Sequence, residues 1–203
     1  MAALKKLDHV RQAVRMRDAQ SVALDGNPAR AAVAILLDPR ADDLHICFIH
    51  RAVVERDPWS GHMGFPGGFM HERDSDLLET ARREVREEIG VDLEHGAQLV
   101  GRLDEIQGIA RGRQLPLVIT PFLFILREPI ELSPNEEVQS VLWVPLSFLE
   151  DPRNESTIEY RLEGEPMRLP AFIYEDRTIW GLTYRMLRNF LDLVAGRSSG
   201  QSG

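Results

Sequence analysis

Arg83-Glu84-Val85-Arg86-Glu87-Glu88-Ile89-Gly90-Val91 sets Glu84 and Glu88 four residues apart and Glu87 three from Glu84. On a helix, residues at those spacings share a face, so the three carboxylates project over one patch of surface. Like charges so placed repel and weaken the helix unless something positive offsets them. A hard divalent cation with oxygen ligands is the natural counter-charge, and Arg83, four residues before Glu87, can pair with the cluster as well. Taken alone, the string reads better as a solvated helix face laced with Arg–Glu pairs. Its surroundings alter that reading.

Leu78, Ala81, Val85 and Ile89 form an apolar stripe, which predicts a helix from about Ser75 to Ile89 with Gly90 as its C-terminal stop. A Gly- and Pro-rich stretch from Asp57-Pro58 to Phe65-Pro66-Gly67-Gly68 precedes it. The last four residues offer a turn where backbone can approach a metal-bound phosphate without side-chain obstruction. Further upstream, Ala31 to Leu37 and Leu44 to Arg51 read as neighbouring buried strands separated by the turn-like Asp38-Pro39-Arg40. Downstream, the candidate strands are Leu99 to Leu103, Leu117 to Leu126 and Val138 to Val144. Leu4, Leu7, Val10 and Val14 predict an amphipathic helix from Ala2 to Asp18, broken by Gly26-Asn27-Pro28. Trp180, Tyr184, Leu187, Leu191 and Val194 predict a closing helix, followed by the small-residue tail Gly196 to Gly203. Strands mixed with a few helices favour a mixed sheet flanked by helices over a doubly wound parallel sheet.

Gly68 through Val91, with Asp74, Thr80-Ala81, Arg83-Glu84, Glu87-Glu88 and Gly90 in order, resembles the Nudix box. The tail of that motif matches in full from Arg83 to Val91. At its head, Asp74 stands where glutamate is usual and the gap to Arg83 is one residue longer than the common form. The longer gap is similar to the coenzyme A diphosphatase subgroup, and Ala52, Arg56, Gly61 and Phe65-Pro66-Gly67-Gly68 echo the motif found upstream there. One extra residue separates Arg56 from Gly61, and Phe48-Ile49-His50 replaces the subgroup's usual Leu-Leu-Thr. Ile179-Trp180-Gly181-Leu182-Thr183 is similar to a further segment of the same subgroup.

The resemblance implies an α/β fold, a Nudix-type α/β/α sandwich with a mixed central sheet. It implies residues 1–26 as an N-terminal helical extension, 27–196 as the Nudix domain and 197–203 as a flexible tail. It also implies Glu84 and Glu88 as principal metal ligands, with Glu87 close by and the Gly67 carbonyl as a further ligand. Magnesium or manganese suits such an oxygen-rich set better than zinc. The general base comes either from the box helix, where Glu87 is the candidate, or from a later loop. In Ser133-Pro134-Asn135-Glu136-Glu137, Glu137 is preferred over Glu136. Arg83 orients a carboxylate between its visits to metal.

Phosphates beyond the metal need cationic partners. Arg51, Arg56, Arg111 and Arg113 are candidates, with Arg56 favoured, and Gly68 lies where substrate would pass. His62 and His71 have no spaced histidine or cysteine partner and read as polar loop residues, not zinc ligands.

Three readings of function stand side by side. The first is hydrolysis of coenzyme A or an acyl derivative to phosphopantetheine and adenosine 3′,5′-bisphosphate. The second is a Nudix hydrolase of ADP-ribose, a dinucleotide or an oxidised nucleotide. The third is a catalytically silent Nudix fold that only binds, disfavoured because such a module has no need to keep three repelling carboxylates together.

Composition narrows the rest. The 203 residues suit one domain with extensions, and 43% hydrophobic with 28% charged residues is the balance of a globular protein. A formal charge of −8 argues against a general nucleic-acid surface, which needs clustered Lys and Arg. The longest nearly uncharged apolar run, Pro116 to Leu126, is too short to span a bilayer, and without a signal-like segment the expected location is the cytoplasm. The one cysteine, Cys47, lies in an apolar run and reads as a core thiol. A small-molecule, nucleotide-derived partner is expected. A homodimer is compatible with a sequence that fixes no oligomeric state.

Overall fold

The first strand, β1 (Ala29–Pro39), sends alternate side chains to opposite faces: Ala31, Ile35 and Leu37 into one apolar cluster, Ala32, Ala34 and Leu36 into another. A strand buried on both faces reads as a continuous apolar run and needs a layer on each side. The computed structural model describes residues 2–40, 42–53, 55, 59–110, 112–162 and 164–197. Arg56, Arg111, the pair Asp57-Pro58 and the tail after residue 197 lie outside them.

In chain order the elements are α1 (Ala2–Arg15), β1, β2 (Leu44–Arg51), β3 (Met63–Gly64), β4 (Gly67–Phe69), α2 (Leu77–Ile89), α3 (Leu93–Gly96), β5 (Ala97–Arg102), β6 (Ile106–Ala110) and β7 (Arg113–Leu126). Then follow β8 (Val138–Pro145), α4 (Leu146–Glu150), β9 (Glu155–Leu162), β10 (Glu165–Tyr174), β11 (Arg177–Trp180) and α5 (Gly181–Val194). The main sheet runs β3-β2-β1-β7-β5, with β4 on β1, β6 on β7 and β8 on β2. β1 and β7 pair in parallel from Ala29↔Leu117 to Leu37↔Ile125, whereas β2, β4, β5, β6 and β8 join antiparallel, so the sheet is mixed. Helices α1 and α5 cover one face and α2 the other. That is the α/β/α arrangement the sequence predicts.

Two details of the sequence reading change. On α1 the buried stripe is Ala3, Leu7, Val10 and Val14, while Leu4 stays 62% exposed. Stepping back from Leu7 by four residues instead of three keeps the stripe on one face, and the smaller residue fits against the sheet. The second change lies between Leu146 and Ile179, where the sequence suggests no element. That stretch holds α4 and a separate three-stranded sheet, β11-β10-β9. β9 alternates exposed residues with the partly buried Ile158, Tyr160 and Leu162, and none of its residues is fully buried. Its pairing with β10, from Phe172↔Glu155 to Glu165↔Leu162, is carried by backbone. Similarly, β7 begins at Arg113 rather than Leu117, because Ala110↔Arg113 closes a hairpin with β6 that polar residues do not advertise. Cys47 is fully buried and burial pushes its thiol up, which leaves it a core residue.

A buried carboxylate fastens the chain between α1 and β1. Glu105 is 7% exposed. Its Oε2 accepts from the Val22 amide at 2.9 Å, and its Oε1 accepts from Arg30 at 2.9 Å, Arg102 at 3.3 Å and Thr120 Oγ1 at 2.9 Å. Arg30 and Arg102 remain partly exposed, which moderates the worth of each pair. Glu105→Ala is expected to cost about 2 kcal/mol, read from the denaturation midpoint, by stranding those donors. An unchanged midpoint would place the stability of this linker elsewhere.

Candidate active site

Helix α2 starts at Asp76, whose carboxylate accepts from the Glu79 amide at 2.8 Å, and ends at Gly90 in the left-handed region. Ala81, Val85 and Ile89 fix its inner face against the sheet beside Ala32, Ala34 and Phe124. β4 pairs with β1 through Val33↔Gly67 and Ala31↔Phe69, which lays Gly67-Gly68 over this helix. Backbone excludes any side chain at Gly67, and at Gly68 a side chain would displace Glu84. At Gly67 (φ 151) a Cβ would stand 2.3 Å from the Ala32 carbonyl oxygen, and at Gly68 it would stand 2.6 Å from Glu84 Oε1. The turn read from the sequence is thus pressed directly onto the box carboxylates.

The three glutamates are not equivalent. Glu88 is 2% exposed and accepts from the Gly67 amide at 2.8 Å, with Arg51 Nη1 3.8 Å from its other oxygen. Burial outweighs both contacts, and with Glu84 and Glu137 nearby it raises the Glu88 carboxyl to about 8. Glu84 is likewise raised by burial, against the pull of Arg83. Glu87 points outward and is half-exposed.

Arg83 holds this group together. Its Nη1 donates to Glu84 Oε1 at 2.8 Å and Glu87 Oε2 at 3.0 Å; its Nε and Nη2 reach the two oxygens of Asp74 at 2.9 Å each, and Nη2 also reaches the Phe69 carbonyl at 3.1 Å. Asp74 is buried, takes further hydrogen bonds from the His71 amide and Thr80 Oγ1, and is held well below the usual carboxylate range, chiefly by Arg83. The acid at the head of the motif therefore works as the anchor of Arg83, a role the sequence reading did not assign. A shorter aspartate serves because the chain from His71 to Asp74 turns back on itself, with the Asp74 amide donating to the His71 carbonyl at 3.0 Å.

Loop 133–137 is docked on the end of α2 by the Ser133 amide to the Ile89 carbonyl and the Asn135 amide to the Glu88 carbonyl, both at 3.0 Å. Its far end is held by the Ala52 amide on the Glu137 carbonyl at 2.7 Å. Glu137 is exposed, and its charge raises both Glu84 and Glu88, so the loop brings this candidate base to the box. Glu136 is exposed on the same turn. Arg51 ends β2 beside Glu88. Arg113 is exposed at the start of β7 and is not among the residues facing the cleft described below. Arg56 and Arg111 fall outside the described residues. His71 lies exposed on the turn before Asp74. His62 is more than a polar loop residue, since its ring packs on Trp180 with centroids 4.7 Å apart.

Beside Gly67 and Gly68 opens a cleft of about 650 Å³. One side carries Trp59, His62, Trp180 and Tyr160, and Tyr160 packs on Trp180 at 5.3 Å. The rest is mostly aliphatic, including Ile109, Leu162, Met167 and Met186, and comes from the β6–β7 and β9–β10 hairpins and the start of α5. The helical spacing places Trp180 in the core, whereas it lines the cleft. Tyr160 sits in the alternation Ile158-Glu159-Tyr160-Arg161-Leu162, a strand signal the sequence reading did not use, and joins the cleft with Met167 through the three-stranded sheet.

The residues fit a divalent cation. All side-chain donors are oxygens, two of the carboxylates are raised by burial, and the Gly67-Gly68 backbone lies directly against them. Among the described residues no three acidic, histidine or cysteine side chains already form a closed ligand set. Arg83 engages one oxygen of Glu84 and one of Glu87.

The raised Glu88 carboxyl has a stability consequence. Between its ordinary value of 4.5 and about 8, the unfolded chain releases a proton that the folded chain keeps, so metal-free stability falls as pH rises through that window. Glu88→Gln is therefore expected to melt several degrees above the parent near pH 8.5, with the gap closing by pH 4. Parallel melting curves across that range would refute this account of Glu88.

The NUDIX domain model matches residues 27–161. Among curated relatives, an uncharacterized protein of Schizosaccharomyces pombe is 40% identical over 119 residues, 57% of this chain and 36% of its own length. Human mitochondrial coenzyme A diphosphatase NUDT8 is 28% identical over 187 residues, 89% of this chain and 76% of its own. Arabidopsis thaliana Nudix hydrolase 15, mitochondrial, is 32% identical over 168 residues, 79% of this chain and 56% of its own. This chain thus spans between about a third and three quarters of these relatives. In fold it is similar to a MutT/nudix family protein from Enterococcus faecalis (TM-score 0.54, 20% identity, 96% of this chain and 75% of that one). It is also similar to a C. elegans Ap4A hydrolase (TM-score 0.53, 18% identity, 83% and 98%). No helix among the described residues is long and apolar enough to cross a membrane. With the glutamate helix, the glycine turn and the mixed sheet arranged as its motif requires, this chain belongs to the NUDIX domain family.

Proposed function

We propose that the chain is a metal-dependent hydrolase of a diphosphate linkage, and that coenzyme A or an acyl derivative is its substrate. The observation that carries the first part is the buried pair Glu84 and Glu88 beneath Gly67-Gly68, opening on a cleft large enough for a nucleotide-derived ligand. Support for the second part comes from the motif upstream of the turn and from a relative named as a coenzyme A diphosphatase that aligns over 89% of this chain.

On this reading Glu84 and Glu88 hold magnesium or manganese, with Glu87 and the Gly67 carbonyl adjoining. The ion supplies positive charge against the diphosphate oxygens and acidifies water. Water attacks one phosphorus as the anhydride P–O bond breaks. Its proton passes to Glu137 and the other phosphate leaves with the bridging oxygen, giving phosphopantetheine and adenosine 3′,5′-bisphosphate from coenzyme A. Arg51 steadies Glu88 and offers a guanidinium to a phosphate oxygen, while Arg83, braced by Asp74, keeps Glu84 and Glu87 aligned. Gly68, lacking a side chain, lets the backbone of the turn lie against Glu84 at the edge of the cleft.

Glu88→Gln is expected to lower kcat with magnesium by about a hundredfold or more while the circular dichroism spectrum stays native. Near-normal turnover would remove Glu88 from the mechanism. In a mass-resolved substrate panel, coenzyme A is expected to be cleaved faster than ADP-ribose, dinucleotides or oxidised nucleotides. A preference for ADP-ribose would end the coenzyme A assignment and leave diphosphate hydrolysis standing, whereas binding without turnover of any of them would leave only a binding module.

A further inference from the structure

The cleft beside Gly67-Gly68 is lined by two arginines, Arg51 and Arg185, and among the described residues by no aspartate or glutamate. That is unusual company in a chain with 32 acidic residues against 24 lysines and arginines. The two guanidinium groups are held differently. Arg51 faces the box, 3.8 Å from Glu88. Arg185 projects from the second turn of α5, and among the described residues it makes a single long hydrogen bond, Nη1 to the Gln107 carbonyl at 3.5 Å on β6. No carboxylate of the described residues pairs with it, although Arg188, less than a turn further along, is engaged by Asp192 at 2.8 Å and lies 3.9 Å from Glu155. Arg185 is exposed at the rim of the cleft, where its guanidinium is open to a ligand. The group stays charged in any case, because arginine does not titrate in the physiological range.

A cationic group in an apolar, acid-free cleft is poised for an anion that the ligand brings. The diphosphate is already provided for by the box and Arg51, so the anion for Arg185 is a second one. Trp180 caps the start of α5 and Arg185 lies on its second turn, and both line the same cleft. A base resting on the Trp180–Tyr160–His62 wall therefore shares that cleft with the Arg185 guanidinium.

We propose that Arg185 binds a phosphomonoester of the substrate that is separate from the diphosphate, and so selects nucleotides phosphorylated on the ribose. The assignment rests on the reading of the cleft as the nucleotide site and, for the natural substrate, on coenzyme A. Planar guanidinium donors match phosphate in pairs, which a lysine does with less geometric discrimination.

The test uses the full chain with Arg185→Ala and Arg185→Lys. The ratio of kcat/KM for coenzyme A over 3′-dephospho-coenzyme A is expected to be high in the parent, to fall by about tenfold or more in Arg185→Ala, and to be partly restored in Arg185→Lys. Calorimetric titration with adenosine 3′,5′-bisphosphate and with adenosine 5′-monophosphate reads the same preference without turnover. The parent should bind the bisphosphate more tightly, and Arg185→Ala should erase that difference. An unaltered ratio in Arg185→Ala, equal losses on both substrates, or equal affinity of the parent for the two nucleotides would each overturn the proposal. If the parent leaves coenzyme A intact yet prefers the bisphosphate through Arg185, the assignment of Arg185 holds and the coenzyme A reading falls.

Discussion

Burying the Glu88 carboxylate beneath a sheet strand is the demand around which the site is built. A charged carboxylate out of water is costly unless donors or cations surround it, and here the protein supplies one amide and one distant guanidinium. The deficit is visible in the upward shift of the group. Each surrounding choice serves the placement. Val85 and Ile89 lock the helix to the sheet, and β4 pairs with β1 so that the Gly67 amide meets the carboxylate. Two side chains are omitted at Gly67 and Gly68, where any Cβ would collide with the Ala32 carbonyl or Glu84. A site designed only for stability would fill this volume with apolar groups instead.

The acids near α2 divide into those already neutralised and those held in reserve. Asp74 is satisfied in full by Arg83, Thr80 and the His71 amide. Glu84 and Glu88 are left under-compensated by burial, and Glu87 stays near water. Arg83 joins the two sets: its planar guanidinium is held on Asp74 through Nε and Nη2, which fixes Nη1, so a change of partner falls to the Glu84 and Glu87 carboxylates. That is the arrangement expected where a cation competes with an arginine for the same oxygens.

Much of this was legible in the sequence because it depends on local spacing. Helix periodicity gave α2, the continuous apolar runs gave β1, β2 and β7, and the glycine pair followed by acids at helical spacing gave the site. What the sequence hid depends on contacts between distant segments. β9 alternates Ile158, Tyr160 and Leu162 with Glu159 and Arg161, and Gly164 marks the turn into β10, but the many Glu, Arg and Thr side chains and the weak burial of both strands make that signal faint beside the core strands. Asp74 could be seen as an acid of the motif but not as the brace of Arg83, since the pairing spans the turn at residues 71–74 and nine positions of chain. Ala3 displaced Leu4 on α1 because side-chain direction on a helix, not hydrophobicity of single residues, selects the buried stripe.

The same division separates chemistry from selection. The glutamates, the glycine turn and the loop of Glu137 all lie before residue 138, inside the part of the chain matched by the family model, which ends at residue 161. Trp180, Arg185 and Met186, and most of the β10 wall with Met167 and Leu169, lie after it. A diphosphate is common to every ligand such a box could cut, so whatever distinguishes one substrate from another must touch the remainder of the molecule, and the remainder meets this later part of the chain. Identity across the box accordingly says little about substrate, and likeness in the last forty residues says more. For this chain those residues supply an aromatic face, an aliphatic wall and an arginine that pairs with no acidic side chain among the described residues, the surfaces on which the proposed substrate reading rests.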